Sequence, residues 1–449
     1  MTMLLSDQPA RELISSTGLD QTLFVQAGAG TGKTTQLVSR IVNTVLNNDV
    51  RLSEIVAITF TEAAASELRA RIRVEFEKLA HTQDPTHRER AEQAIADTDL
   101  AAVSTVHGFA SRILGEFSVA AGLPPRISVL DEVASQLANE QRWDRFVDLL
   151  NNEPELEELM YRAALLDFPL SPAFHGQASF KDVAHNFAQN WDRLDDLLDQ
   201  PLGAALAPID FAPFREAVRA VSTLLDDCLD PGDLLAEHLR TILPEMQAVV
   251  AIDDSHRALR RMQALHRRGR SAKGRRIIWG RGTGGIKKNW GVDPKDIKDI
   301  IDEANDALSL VLDKVSEGVL DQLMRLTARE VRQAANERKS NGGLEFHDLL
   351  VIARQVLRDS AEVRKVLHER YRHVLLDEFQ DTDPIQIELA SLIAATPAVR
   401  QPQRWSDHSV AGGRLFFVGD PKQSIYRFRR ADIKLFLEAR DTFGAASSG

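Results

Sequence analysis

The chain has a single cysteine, Cys228, so it can form no internal disulfide and depends on packing and hydrogen bonding for its fold. A reducing cytosol fits that scarcity. No run of about 18 apolar residues occurs, which excludes a membrane-spanning helix read from sequence. The opening segment, Met1 to Ile14, lacks a basic stretch followed by an apolar block, so it does not read as a secretory leader. Aromatic residues make up only 6%, with three tyrosines. The remainder is 43% hydrophobic and 27% charged, the balance of an ordinary globular protein. At 449 residues it is too long for one core, and two or three domains are expected.

Positive charge is in deficit overall, with a formal net charge of −11. That would speak against nucleic acid as a partner if the charge were evenly spread. It is not: His256 to Trp290 holds twelve Lys or Arg and no Asp or Glu. Electrostatic attraction is local, screened beyond roughly 8–10 Å, so a segregated basic segment can bind phosphate on an acidic protein. Arg267, Arg268 and Arg270 lie at its centre and are the candidate DNA-backbone contacts. A solvated basic loop is the plainer alternative.

The first third alternates strand and helix. Leu23–Ala27, Ile55–Phe60 and Ala101–Ser104 read as short buried strands, each followed by a helix, a pattern that implies a parallel sheet with crossover helices. Leu37, Ile41, Val42 and Val45 mark the buried face of the first long helix. From about Val133 helical spacing dominates, through Trp143, Phe146, Leu149 and Leu150, then Leu308, Leu310, Val311, Val315, Leu320 and Leu323. Strand patterns return at His373–Leu376 and Leu415–Val418. The organisation expected is an α/β domain made of 1–132 and 341–449, with a mainly helical domain, 133–340, inserted between them.

The strongest chemical signal is Ala27-Gly28-Ala29-Gly30-Thr31-Gly32-Lys33-Thr34, set between a strand and a helix. Glycines let backbone N–H groups turn onto phosphate oxygens, and the following helix presents its positive end to the same anion. Lys33 is placed to reach the β- and γ-phosphates and Thr34 to ligate Mg²⁺. The second signal is Val374-Leu375-Leu376-Asp377-Glu378, two carboxylates at the carboxyl end of a strand, where open α/β sheets bind ligands. Asp377 is assigned to the metal and Glu378 to orienting or deprotonating the attacking water.

These segments have company. Thr59 to Arg73 (TFTEAAASELRARIR), Val103 to Phe109 (VSTVHGF), Asp377 to Pro384 (DEFQDTDP) and Gly419 to Arg429 (GDPKQSIYRFR) occur in the order of the conserved motifs of RecB-like superfamily 1 DNA helicases, which the chain closely resembles. The resemblance implies a RecA-like P-loop NTPase domain, a parallel sheet with helices on both faces, carrying an inserted helical subdomain. It implies ATP and Mg²⁺ as cofactors, and single-stranded or duplex-end DNA as the partner. It implies 3′→5′ translocation in DNA repair or recombination. By the same resemblance Gln8 reads the adenine, with Asp7 and Arg11 beside it, and Gln423 senses the γ-phosphate. Phe60, Thr61, His107, Tyr426 and Phe428 face single-stranded DNA, where base stacking on aromatic rings contributes roughly 1–3 kcal/mol per base. Arg430 stands where the family commonly has glycine.

Only seventeen residues follow Asp432. The expectation is therefore the ATP-binding half of a motor, completed by a second RecA-like half or by other helicase–nuclease subunits, and binding ATP without useful turnover when alone. A different P-loop enzyme, and a catalytically incomplete module that binds ATP and DNA, are the competing classes.

Overall fold

The computed structural model describes residues 7–28, 30–171, 179–199, 206–272, 274–400, 402–420, 422 and 433–444. The chain divides into two compact units, one formed by Met1–Glu132 with Asn336–Gly449 and the other by Val133–Ala335.

The first unit is built on a parallel sheet of five strands. In chain order its elements begin with α1 (Gln8–Glu12), β1 (Leu23–Gln26), α2 (Lys33–Asn47), β2 (Ile55–Thr59), α3 (Glu62–Leu79), α4 (Pro85–Ala96), β3 (Ala102–Thr105) and α5 (Val106–Glu116). A two-residue strand β4 (Ser128–Val129) follows. The second unit contributes a hairpin, β5 (Arg270–Ala272) with β6 (Arg275–Ile277). The chain then returns through β7 (Gly343–Leu344), which pairs with β4, to β8 (His373–Leu376) and β9 (Leu415–Gly419).

The sheet order is β1-β9-β8-β2-β3, with every pair parallel. β2 and β9 are buried at every position, as interior strands covered on both faces must be. The strands end within a residue or so of their expected limits. This order puts the carboxyl end of β1 beside that of β9, and β9 beside β8. The Gly-rich turn after β1, the carboxylates after β8 and the Gly419–Asp420 turn after β9 therefore meet at one end of the sheet.

α2 buries Leu37, Ile41, Val42 and Val45 against the sheet, together with Leu68, Ile72 and Phe76 of α3. The same helix carries Arg40, which is only 3% exposed. Its guanidinium donates to the carbonyls of Ile14, Gly18, Leu19 and Gln21 at 2.9–3.1 Å and lies 4.5 Å from the Phe416 ring centre. Burial lowers its pKa to about 10. Arg40 thus fastens the segment that follows α1 to the sheet, which holds α1 near the Gly-rich turn.

The second unit is helical around its own apolar core, which includes Trp143, Phe146, Phe214, Trp279, Leu308 and Leu323. Three residues expected on its buried faces are not buried: Leu149 is 47% exposed, Leu310 44% and Leu320 40%. Leu150 and Val311, each rotated about 100° around the helix from an exposed neighbour, are buried as expected. The longest helix, Pro294–Asn341, runs past the boundary between the units. No helix among the described residues is long and apolar enough to cross a membrane.

Candidate functional site

The turn after β1 is shaped by two glycines. Gly30 and Gly32 have φ of +73° and +90°, the left-handed region that Cβ-bearing residues rarely enter. Gly32 is the N-cap of α2 and supplies no side-chain cap, so the first N–H groups of the helix face whatever anion the loop holds. Thr31 Oγ1 donates to the Gly28 carbonyl at 2.8 Å and tightens the turn. Ala27 N donates to the Gly419 carbonyl at 3.2 Å, joining the loop's first residue to the end of β9. Ala29 lies outside the described residues.

Lys33 opens α2 with a side chain only 10% exposed, and Thr34, half-buried, follows it. The Lys33 ammonium lies 3.1 Å from Glu378 Oε2 and 3.3 Å from Oε1, so the Gly-rich turn and the β8 carboxylates, 345 residues apart in the chain, form one ion pair. Glu378 itself is strained: φ is +50° and ψ is +43°, left-handed for a residue with a side chain. Such a conformation costs roughly 1–3 kcal/mol and persists where neighbours over-determine it. The neighbours here are the Asp377 carboxylate, which accepts Glu378 N–H at 2.9 Å, the Lys33 ammonium, and the Gln380 amide, which donates to Glu378 Oε2 at 2.7 Å.

Asp377 is fixed by β-sheet bonding, its N–H donating to the Ile58 carbonyl of β2 at 2.9 Å. Burial, reinforced by the adjacent Glu378 charge, raises the Asp377 pKa to about 6, against the opposing pull of the Glu378 N–H and Lys33. A carboxylate held against its own preference to protonate is primed for a cation. Among the described residues no group of three or more His, Cys, Asp or Glu is placed to hold a metal ion. Thr34 and Asp377 are a hard oxygen pair suited to Mg²⁺, which keeps most of its shell as water and substrate phosphate, so the residues fit that ion.

Of the residues that the resemblance assigns to the adenine, Gln8 is exposed and donates to Glu12 at 3.2 Å. Arg11 is the one that reaches the Gly-rich turn, donating to the Thr31 carbonyl at 3.0 Å while bonded to Asp7. On the opposite rim Phe60 is half-buried, and Thr61 caps α3, its hydroxyl accepting Ala64 N–H at 3.1 Å. Glu62 accepts the Thr105 hydroxyl at 2.6 Å, tying the turn after β2 to the turn after β3. His107 stands edge-on to Phe346, ring centres 5.5 Å apart, and Phe346 is 54% exposed. Phe346 and Gln380 are the two additions the structure makes to the sequence-derived set. Gln380 lay within the quoted DEFQDTDP segment, whereas Phe346 had no local signal. Gln423, Tyr426 and Phe428 lie outside the described residues.

In the second unit, six of the twelve cations of the basic segment meet carboxylates within the chain among the described residues. Arg267 pairs with Asp167, and Arg268 with Glu245. Arg275 meets Asp302 at 3.2 Å as well as Asp306, and Arg281 meets Asp302 at 2.8 Å as well as Asp299. Arg276 donates instead to the carbonyls of His266 and Arg267. Arg257, Arg260, Arg270 and Lys288 are exposed, with no ion pair to a carboxylate among the described residues.

A parallel sheet with a Gly-rich turn after its first strand and paired carboxylates after β8, one strand removed from it, defines a P-loop nucleotide-binding domain. Residues 8–444 match the family model described as UvrD/REP helicase N-terminal domain, and the chain belongs to that family. It is similar to proteins named as the A subunit of an ATP-dependent helicase/nuclease. Identity is 27% to that of Streptococcus sanguinis, over 99% of this chain, and 26% to that of Carboxydothermus hydrogenoformans, over 97%. It is 24% to that of Pediococcus pentosaceus, over 96%. The chain spans only 36–37% of the length of these three relatives.

The Asp377 carboxyl gives a pH-dependent test. Its pKa is raised in the fold, so the stability it contributes is present below its unfolded value and is lost as pH rises through about 6. Asp377→Asn cannot ionise. In metal-free buffer at pH 8 it should exceed the parent in stability by on the order of 1–3 kcal/mol, a gain that shrinks as pH falls through 6 and is small near pH 4. Equal denaturation midpoints at pH 8 would show that ionising this carboxyl costs the fold nothing.

Proposed function

We propose that the first unit binds ATP with Mg²⁺ and that the chain is the ATP-binding half of a RecB/UvrD-type 3′→5′ DNA helicase or translocase acting in DNA repair and recombination. The observation that supports this reading is the Lys33–Glu378 contact at 3.1 Å, which joins the residue assigned to phosphate and the one assigned to water. The backbone N–H groups from Gly28 to Thr34 cradle the phosphates and Lys33 exchanges Glu378 for the β- and γ-phosphate oxygens. Thr34 and Asp377 would hold Mg²⁺, which supplies charge neutralisation between those phosphates when bound. Released from Lys33, Glu378 is free to orient and deprotonate water. Gln423 is assigned to the γ-phosphate on the resemblance alone.

DNA is the proposed second partner, with the second RecA-like half or other helicase–nuclease subunits completing the motor. Phe60, Thr61 and His107 line the rim proposed for a single strand, joined by Phe346, with Tyr426 and Phe428 assigned by resemblance. Thr61 serves there by setting the start of α3. The basic segment of the second unit is proposed to track the DNA backbone. Its readiest contacts are Arg257, Arg260, Arg270 and Lys288, because Arg267 and Arg268 must first leave Asp167 and Glu245. Exposed ion pairs of that kind are worth only about 0–1 kcal/mol, so phosphate can replace the carboxylates.

Calorimetric titration of Mg·ATP tests the nucleotide site. The parent should bind in the micromolar-to-millimolar range, roughly −8 to −4 kcal/mol, and Lys33→Ala should weaken binding by about tenfold or more. Indistinguishable titrations would remove Lys33 from the site.

The DNA surface has its own signature. If the four readily available cations engage a single strand, log K against log salt should fall with a slope near −2.8 by about 0.7 per phosphate contact, and Arg257→Ala with Arg260→Ala should flatten it by about 1.4. A slope left unchanged by that double substitution would make the basic segment a solvated surface and leave DNA contact to the rim of the first unit.

A further inference from the structure

We propose that Gln380 is a positioning residue that locks the Glu378 carboxylate to the backbone at the end of β9. The inference rests on the reading of Glu378 as the water-orienting group. Gln380 is 4% exposed, so its amide is costly to leave unbonded. Both ends are used. Nε2 donates to Glu378 Oε2 at 2.7 Å and, at longer range, to Asp381 Oδ2 at 3.4 Å, while Oε1 accepts Asp420 N–H at 2.8 Å.

These contacts close a ring. From the Gly-rich turn, Ala27 N–H reaches the Gly419 carbonyl at 3.2 Å, and the next residue, Asp420, gives its N–H to Gln380 at 2.8 Å. Gln380 then holds Glu378, and Glu378 holds Lys33 back on the Gly-rich turn at 3.1 Å. Asp420 is itself tied to its own turn, its Oδ1 accepting Lys422 N–H at 3.1 Å. When phosphate draws Lys33 out of this ring, Glu378 loses one of its three restraints. Gln380 then keeps the carboxylate, in its strained backbone conformation, aimed at the same place. It also carries any displacement of Asp420 directly to the carboxylate, because one rigid amide connects the two.

The test uses the full 449-residue chain with Gln380→Ala and the near-isosteric Gln380→Glu. It reads backbone amide exchange at Asp420, Mg·ATP affinity by calorimetry, and single-turnover ATP hydrolysis with protein in excess and single-stranded DNA present, followed long enough to resolve the slow rate expected of this chain alone and a roughly tenfold fall below it. Gln380→Ala removes acceptor and donor together. Asp420 exchange should quicken and hydrolysis should slow, each by roughly tenfold or more, while ATP affinity stays within about threefold of the parent. Gln380→Glu keeps the acceptor and loses the donor. Asp420 protection should stay within about threefold, while hydrolysis slows as in the alanine variant and affinity is again held. Unchanged Asp420 exchange in Gln380→Ala overturns the proposal. So do hydrolysis rates within about twofold of the parent in both variants, or a roughly tenfold loss of ATP affinity in Gln380→Glu with Asp420 still protected. Failure of the parent to bind ATP would instead sink the functional reading above, and the exchange measurement would still decide whether Gln380 anchors Asp420.

Discussion

The site depends on the ion pair between Lys33 and Glu378. Neither residue would be where it is without the sheet order, which brings the carboxyl ends of β1, β9 and β8 side by side. The pair in turn explains the local strain. Glu378 occupies a left-handed conformation at φ +50° because three polar partners reward its carboxylate and N–H for being there. The Asp377 pKa of about 6 has a different origin: burial raises it first and the adjacent Glu378 charge second, while Lys33 pulls it the other way. On the proposed function, Lys33 is held by a carboxylate that polyphosphate would displace. That exchange would convert an ion pair internal to the protein into one with ligand, and would free the carboxylate as the substrate arrives.

Much of this was legible in the sequence because the signals are local. Mostly apolar runs of four to six residues bounded by turns located all five strands of the sheet, and the Gly-rich segment located the turn between β1 and α2. Side chains acting at a distance were less legible. Arg40 reads as an ordinary helix cation, yet it is buried and bonded to four carbonyls between Ile14 and Gln21, contacts that exist only once α2 packs on the sheet. Phe346 lies far in sequence from His107, and no period or spacing joins them. Leu149, Leu310 and Leu320 fit an apolar helical stripe but face outward, because spacing leaves a stripe's centre uncertain by a residue.

The basic segment shows the same limit in electrostatic form. Counting charges along the chain makes 256–290 a block of +12, but charge acts through space, and a turn carrying Asp167 and helices carrying Glu245, Asp299, Asp302 and Asp306 elsewhere in that unit meet part of it. The surface that remains to attract phosphate is smaller than the sequence count. On the proposed DNA contact, this segment would release arginines from weak internal pairs only in exchange for phosphate.

The most direct measurement of the central claim is the Mg·ATP affinity of Glu378→Gln against the parent, by calorimetry at matched pH and salt. If Glu378 is the internal competitor that holds Lys33, removing its charge should tighten ATP binding by about three- to tenfold, the worth of one partly exposed ion pair. Affinity equal to or weaker than that of the parent would mean that Lys33 is not withheld by Glu378, and that the contact between them has no part in admitting the nucleotide.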